Sequence, residues 1–167
     1  NILNALIFSR SDGIILDTFY VVDARTGKLV SRRERDAFKD LLTRVLAAGG
    51  RVDFEKEIAR LASRQAVAME WEGMGIPTRI RIDNESVRYR TIVEVETEDR
   101  IGLLYLISKV LTDLGLNISV ARICTEKGAA IDTFYVRDTT GKKILDEEKL
   151  AVIKANLHQT LDSYQEK

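Results

Sequence analysis

Asp132-Thr133-Phe134-Tyr135-Val136 repeats Asp17-Thr18-Phe19-Tyr20-Val21 without a change. The match spreads outward. Asn1-Ile2 answers Asn117-Ile118, Ala5 answers Ala121, and Ile7 answers Ile123. Gly13 answers Gly128, Asp23 answers Asp138, and Gly27 answers Gly141. The offset drifts only from 116 at Asn1/Asn117 to 114 at Gly27/Gly141, which single-residue loop changes explain. Two copies are too few for a solenoid, so the chain reads as two related modules. Within the repeated pentapeptide the side chains alternate: Phe134 and Val136 face one way, Thr133 and Tyr135 the other. Core packing and sheet contact account for that pattern without any chemistry.

The second copy is the more complete. Ahead of Asn117 it has a strand over residues 89–97, then Glu98-Asp99-Arg100-Ile101-Gly102-Leu103-Leu104, then a helix to about Leu114 with Gly115 as its stop. The first copy starts at the residue that matches Asn117. Its opening strand and first helix are absent, and neither an initiator Met nor a signal-peptide pattern stands at position 1. The chain is therefore expected to be a piece of a longer polypeptide.

Residues 1–9 and 14–22 read as strands joined by a turn at Ser11-Asp12-Gly13. Ser31 and Glu34 form a capping-box pair, followed at helical spacing by Phe38, Leu41, Leu42, Val45 and Leu46 up to Gly49-Gly50. Asp53 can cap a further helix carrying Ile58, Leu61 and Ala62, which has no counterpart in the second copy and reads as a linker. Glu72-Gly73-Met74-Gly75-Ile76-Pro77 holds the only Pro and is the natural boundary. Residues 78–83 alternate apolar and basic side chains as a strand does, and Asn84-Glu85-Ser86 can turn. The helix from Ile101 is apolar nearly all round, which implies burial on more than one side. Strands over 117–125 and 129–138 follow. Asp146 can cap a last helix whose inner face is Leu150, Ile153, Leu157, Leu161 and Tyr164.

The predicted class is α+β: two ferredoxin-like βαββα units with antiparallel sheets, the first truncated at its N-terminus. The expected division is 1–50 for the incomplete first module, 51–77 for the linker helix and connection, and 78–167 for the second module. Residues 78–83 are expected to pair as a hairpin with 89–97, filling the edge that a ferredoxin-like final strand would occupy. Assignment of that strand to the first module is the alternative. Without a strand and helix of its own, the first module leaves Ile7, Leu16 and Phe19 short of cover. A second chain, as in a homodimer, or the second module's sheet is expected to supply it.

Composition excludes several functions. Lys and Arg number 26 and so do Asp and Glu, so no global field draws nucleic acid or an anionic membrane. No apolar run is long enough to cross a bilayer. The same topology serves RNA-recognition modules, but their Gly-aromatic strand pattern is missing. One Cys, Cys124, excludes an internal disulfide, fits a reducing, cytoplasmic setting, and reads as a small buried hydrophobe. One His, His158, lies among polar residues. With one His and one Cys no soft-ligand metal cluster forms, and no phosphate-cradling loop is present. No catalytic constellation and no cofactor are expected in this chain.

One segment carries chemistry. In Glu98-Asp99-Arg100-Ile101-Gly102 a strand runs through a short loop into a helix start, where free N–H groups and the helix dipole favour an anion. Gly102 allows a ligand close to the backbone. A carboxylate on those N–H groups and an ammonium on Asp99 together describe an α-amino acid. The competing reading is that Asp99 simply caps its own helix.

Asp99-Arg100-Ile101-Gly102-Leu103-Leu104, followed by Gly115-Leu116-Asn117-Ile118, resembles the ACT domain, a small regulatory module that binds amino acids. The usual loop has Pro where this chain has Ile101. The spacing to the repeated Asp-Thr-Phe-Tyr-Val, together with Ile76-Pro77-Thr78-Arg79-Ile80 and Asp83-Asn84, is similar to the tandem ACT region closing the family of bifunctional PII uridylyltransferase/uridylyl-removing enzymes. That resemblance covers nearly the whole chain. It implies a regulatory region that senses an amino acid, glutamine foremost, and biases upstream catalytic domains acting on the PII signalling protein. A tandem ACT sensor of an amino-acid biosynthetic enzyme and an interaction module without ligand are the alternatives. The resemblance also implies a ligand site built from the loop Asp99, Arg100, Ile101, Gly102, Leu103 and Leu104. This loop would face Asn1 and Ile2, or Asn117 and Ile118 of a symmetry mate. N–H groups at Ile101 to Leu103 would take the carboxylate, Asp99 the ammonium, and Asn117 or Asn1 the side-chain amide.

Overall fold

A computed structural model describes residues 1–10, 12–23, 26–47, 49, 53–65 and 75–165. The elements run β1 (Ile2–Ser9), β2 (Ile15–Val21), α1 (Arg32–Ala47), α2 (Phe54–Gln65), β3 (Arg79–Asp83), β4 (Thr91–Glu98), α3 (Leu103–Asp113), β5 (Asn117–Glu126), β6 (Ala129–Arg137) and α4 (Glu147–Gln165). Ser11, Gly50 and residues 72–74, assigned above to a turn, a helix end and the boundary, lie outside the described residues.

The local signals act as the side chains dictate. Ser31 and Glu34 exchange the two bonds of a capping box: the Ser31 N–H donates to Glu34 Oε2 at 2.7 Å and the Glu34 N–H to Ser31 Oγ at 3.3 Å. Asp53 accepts from the Lys56 N–H, and Asp146 from Glu148 and Lys149. Asp83 closes the turn after β3. It accepts from the N–H groups of Glu85 and Ser86 and from the Ser86 hydroxyl, and these bonds hold its pKa down to about 2.

The class is α+β with antiparallel pairing, but there is one sheet rather than two. Its order is β2-β1-β5-β6-β4-β3. The expected hairpin forms: Ile80 pairs with Val95, and β3 covers the outer edge of β4. At the other side β1 lies antiparallel on β5, with Ala5 opposite Ile123 and Phe8 opposite Val120. The reason is the edge of β5. Its unpaired N–H and C=O groups are satisfied by the matching strand of the first copy. The chain gathers into two compact units. One gathers the region of α1 and α2. The other holds β1 and β2 together with β3–β6, α3 and α4.

The core of the larger unit lies between one sheet face and the two helices α3 and α4. Val93, Val95, Phe134 and Val136 from the strands meet Ile107, Leu111, Ile153, Leu157 and Leu161 from the helices, all buried. Each such side chain contributes about 1.5–3 kcal/mol of apolar burial. Leu104, Val110 and Leu114 are partly buried against the same core, so α3 packs over a wide arc, as its sequence implies. The alternation of the repeated pentapeptide holds in β6: Phe134 and Val136 are buried, while Thr133 and Tyr135 are half-buried on the other face.

The first copy fares differently. Ile7 packs partly against the core through the β1–β5 pairing, but Leu16 and Phe19 are 54% and 38% exposed. The second module's sheet thus covers Ile7 and leaves β2 open. In α1, Phe38, Leu41, Leu42 and Leu46 are exposed. Cys124 is half-buried rather than buried, because Ile123 takes the core face and its neighbour on the strand turns away.

Candidate functional site

The β4–α3 loop starts at one end of the sheet. Glu98, the last residue of β4, pairs with Ala129 at the start of β6, and the Asp99 N–H donates to the Gly128 carbonyl at 2.8 Å. The loop then turns through Gly102, whose φ of 85° lies in the left-handed region that a side chain disfavours. Gly102 is the N-cap residue of α3, and no side chain caps that helix. Asp99 therefore does not cap its own helix, and the helix start keeps its polar character toward an anion. The Leu103 N–H is engaged, donating to the Arg100 carbonyl at 3.1 Å. The three expected carboxylate donors, Ile101 to Leu103, thus lose their last member to the turn.

Two neighbours hold the loop. The Tyr164 hydroxyl of α4 donates to the Ile101 carbonyl, and Arg100 reaches back to the Tyr164 carbonyl at 3.5 Å. Arg100 also pairs with Glu98 at 3.4 Å, a carboxylate only 3% exposed. Burial raises the pKa of the Tyr164 hydroxyl, opposed by the Arg100 charge.

Asp99 is half-buried, and burial raises its pKa, opposed first by the positive charge of the N-terminal amine and then by the Arg100 N–H. A second carboxylate, Asp132 of β6, is 2% exposed. Burial pushes it up to about 7, the Asp99 charge adds to the rise, and a bond from the Cys124 N–H opposes it. Sequence reasoning missed Asp132 as a site residue. Its signal was the alternation itself, which places it on the core face with Phe134 and Val136.

The remaining candidates separate by strand register. Phe8 pairs with Val120 and Asn4 with Cys124, so β1 starts at the end of β5 that meets β6 at Glu126–Ala129 and runs away from it. Ile2 therefore lies at the loop's end of the sheet, and Asn1 precedes it. Asn117 and Ile118 lie at the opposite end, paired with Arg137 and Val136, and the Asn117 amide donates to the Asp138 carbonyl at 3.1 Å. Within one chain they do not meet the loop.

The family model described as an ACR9-like, ACT-like domain matches residues 79–164. The chain belongs to the ACT-like domain family. The matched residues span the ACT-like module from β3 through α4, with the loop and both carboxylates inside it. The chain is 35% identical to a bifunctional uridylyltransferase/uridylyl-removing enzyme of Gluconobacter oxydans over 98% of its own length. It is 37% and 34% identical to enzymes of the same description from Azospirillum brasilense and Rhodospirillum rubrum, each over 96% of its length. The chain spans 17% of the length of these relatives. No solved structure was found to match it. No described helix is long and apolar enough to cross a membrane.

Proposed function

We propose that this ACT-like chain is an amino-acid-sensing regulatory region of a uridylyltransferase/uridylyl-removing enzyme, with glutamine as its ligand. The observation that carries the reading is the start of α3. A glycine in the left-handed region precedes it, no side chain caps it, and the half-buried Asp99 stands in the same loop. An anion acceptor and a cation acceptor so close together fit the zwitterion of an α-amino acid. Ile2 lies at the same end of the sheet as the loop, and an Asn amide, which offers both a donor and an acceptor, would read the ligand's side-chain amide. Binding here would shift the loop–Tyr164 contact and, in the longer enzyme, bias uridylylation against its reversal on the PII protein through differential affinity for two states.

Calorimetry of the chain with glutamine, glutamate and asparagine tests this. Glutamine is expected to bind tightest. Asp99→Ala is expected to weaken it at least about tenfold, since a charge-assisted hydrogen bond contributes about 1.5–3 kcal/mol. Absence of heat with every amino acid would sink the sensor reading and leave an interaction module.

A further inference from the structure

Two arginines meet at the end of the sheet away from the loop. The β4–β6 ladder runs from Glu98 opposite Ala129 to Thr91 opposite Val136. Arg90 immediately precedes Thr91, and Arg137 immediately follows Val136 and pairs with Asn117 of β5. One further step of the same antiparallel register sets Arg90 and Arg137 across from each other. Both are half-buried, and the Nε of each is buried without a hydrogen-bond partner. Like charges across neighbouring strands destabilise a sheet, and a buried donor left unpaired adds to that cost.

Alternation gives the pair one face. Val93, Val95, Phe134 and Val136 face the helices, so Ile92 and Tyr135 lie on the opposite face, which Arg90 and Arg137 continue. Ile92 is 6% exposed although it stands outside the core under α3 and α4. The register sets Asp83, Tyr135 and the two arginines around it, so the arginine heads stand over an apolar floor. The approach to Arg90 is pinned. The Lys143 ammonium donates to the carbonyls of Asn84 and Val87, and the Thr91 hydroxyl donates to Asn84 Oδ1 at 2.8 Å. The acids nearby are engaged elsewhere. Asp83 accepts from its own turn, Glu94 faces Arg81 at 3.8 Å, and Asp138 accepts from the N–H groups of Thr140 and Lys142. The neighbouring cations Arg88 and Arg122 lie over the rings of Tyr89 and Tyr135. Arg79 and Arg81 are the contrast: each is exposed and faces a glutamate across the β3–β4 hairpin.

We propose that Arg90 and Arg137 form an oxyanion site that takes a phosphate-monoester dianion. Each guanidinium offers a planar fork of donors that fits two oxygens of such a group. Two forks match the several oxygens and the double charge of a phosphate monoester, whereas a carboxylate carries one charge and fills one fork. The bound oxyanion supplies acceptors to both Nε groups and removes the repulsion between the strands. The eight residues of β4 separate this site from the loop, so it is a second site and does not rest on the amino-acid reading.

The Nε–H groups themselves report binding. Proton–nitrogen NMR of the arginine Nε–H signals in the whole chain tests the site, with inorganic phosphate as probe and sodium chloride at equal ionic strength as reference. Phosphate is expected to shift the Arg90 and Arg137 signals together, with one saturation constant, while Arg79 and Arg81 follow ionic strength alone. Acetate is expected to need at least about ten times the concentration. Arg90→Lys and Arg137→Lys keep the charge and lose the fork, and each should weaken phosphate about tenfold. Arg81→Lys should bind as wild type. Arg90 and Arg137 signals that drift only with ionic strength overturn the site, and so does phosphate binding unchanged in both lysine variants. Acetate saturating at the same concentration as phosphate overturns the assignment to a phosphate group. The wild-type titration requires no variant to fold.

Discussion

Burial acts strongly on the Asp132 carboxyl. Its pKa rises from an ordinary 3.8 to about 7, so the folded state holds a proton that the unfolded chain gives up between those values. The sign follows from linkage: wherever the folded state binds more protons, stability falls as pH rises. Stability is therefore expected to decline from about pH 4 to about pH 7 and then level off. At about 1.4 kcal/mol for each tenfold change in proton affinity, the decline is on the order of 4 kcal/mol. Chemical denaturation across that range checks it, and Asp132→Asn should flatten the profile relative to wild type. Asp83 acts in the opposite sense. Hydrogen bonds from its own turn lower its pKa and outweigh the burial that raises it. Both aspartates were visible in the sequence. Only the one beside Asn84-Glu85-Ser86 announced its role, because a turn is built from consecutive residues. Asp132 stands opposite Val95, distant in the chain and paired with it only through the β4–β6 register.

At the scale of the element, the repeat sets up a controlled comparison. Phe19 in β2 and Phe134 in β6 occupy the same place in identical pentapeptides. Phe134 is fully buried under α3 and α4, while Phe19 stays partly exposed at the open edge of the sheet. Phe134→Ala is expected to cost about 3–5 kcal/mol, and Phe19→Ala less than about 1 kcal/mol. Urea unfolding midpoints of the two variants measure the difference, and equal losses would contradict the placement of β2. Element boundaries were largely legible. Caps at Ser31, Asp53 and Asp146 and the turn after β3 act through side chains within a few residues, so local sequence suffices to read them. The helix start at Gly102 was legible as a turn. Whether Asp99 capped it depended on the loop's path, which the bond from Asp99 to Gly128 directs.

For the whole molecule the decisive contact is β1 on β5. Ala5, 1% exposed and opposite Ile123, sits on that seam. Ala5→Arg forces a long charged side chain into a space that holds a methyl group. It is expected to destabilise the chain by several kcal/mol and to expose the edge of β5. Sedimentation should then show more self-association than in wild type, because a second uncovered edge is a further template for pairing. The sequence by itself determined the duplication, the α+β class and the β3–β4 hairpin, all of which depend on side-chain identity and near-neighbour spacing. Tertiary structure alone decided that the two copies share one sheet, that β2 stays open, and that Asp132 is buried while Asp17 is not. Strand edges join through backbone N–H and C=O groups that nearly every residue carries, so no residue type marks which edge will find which.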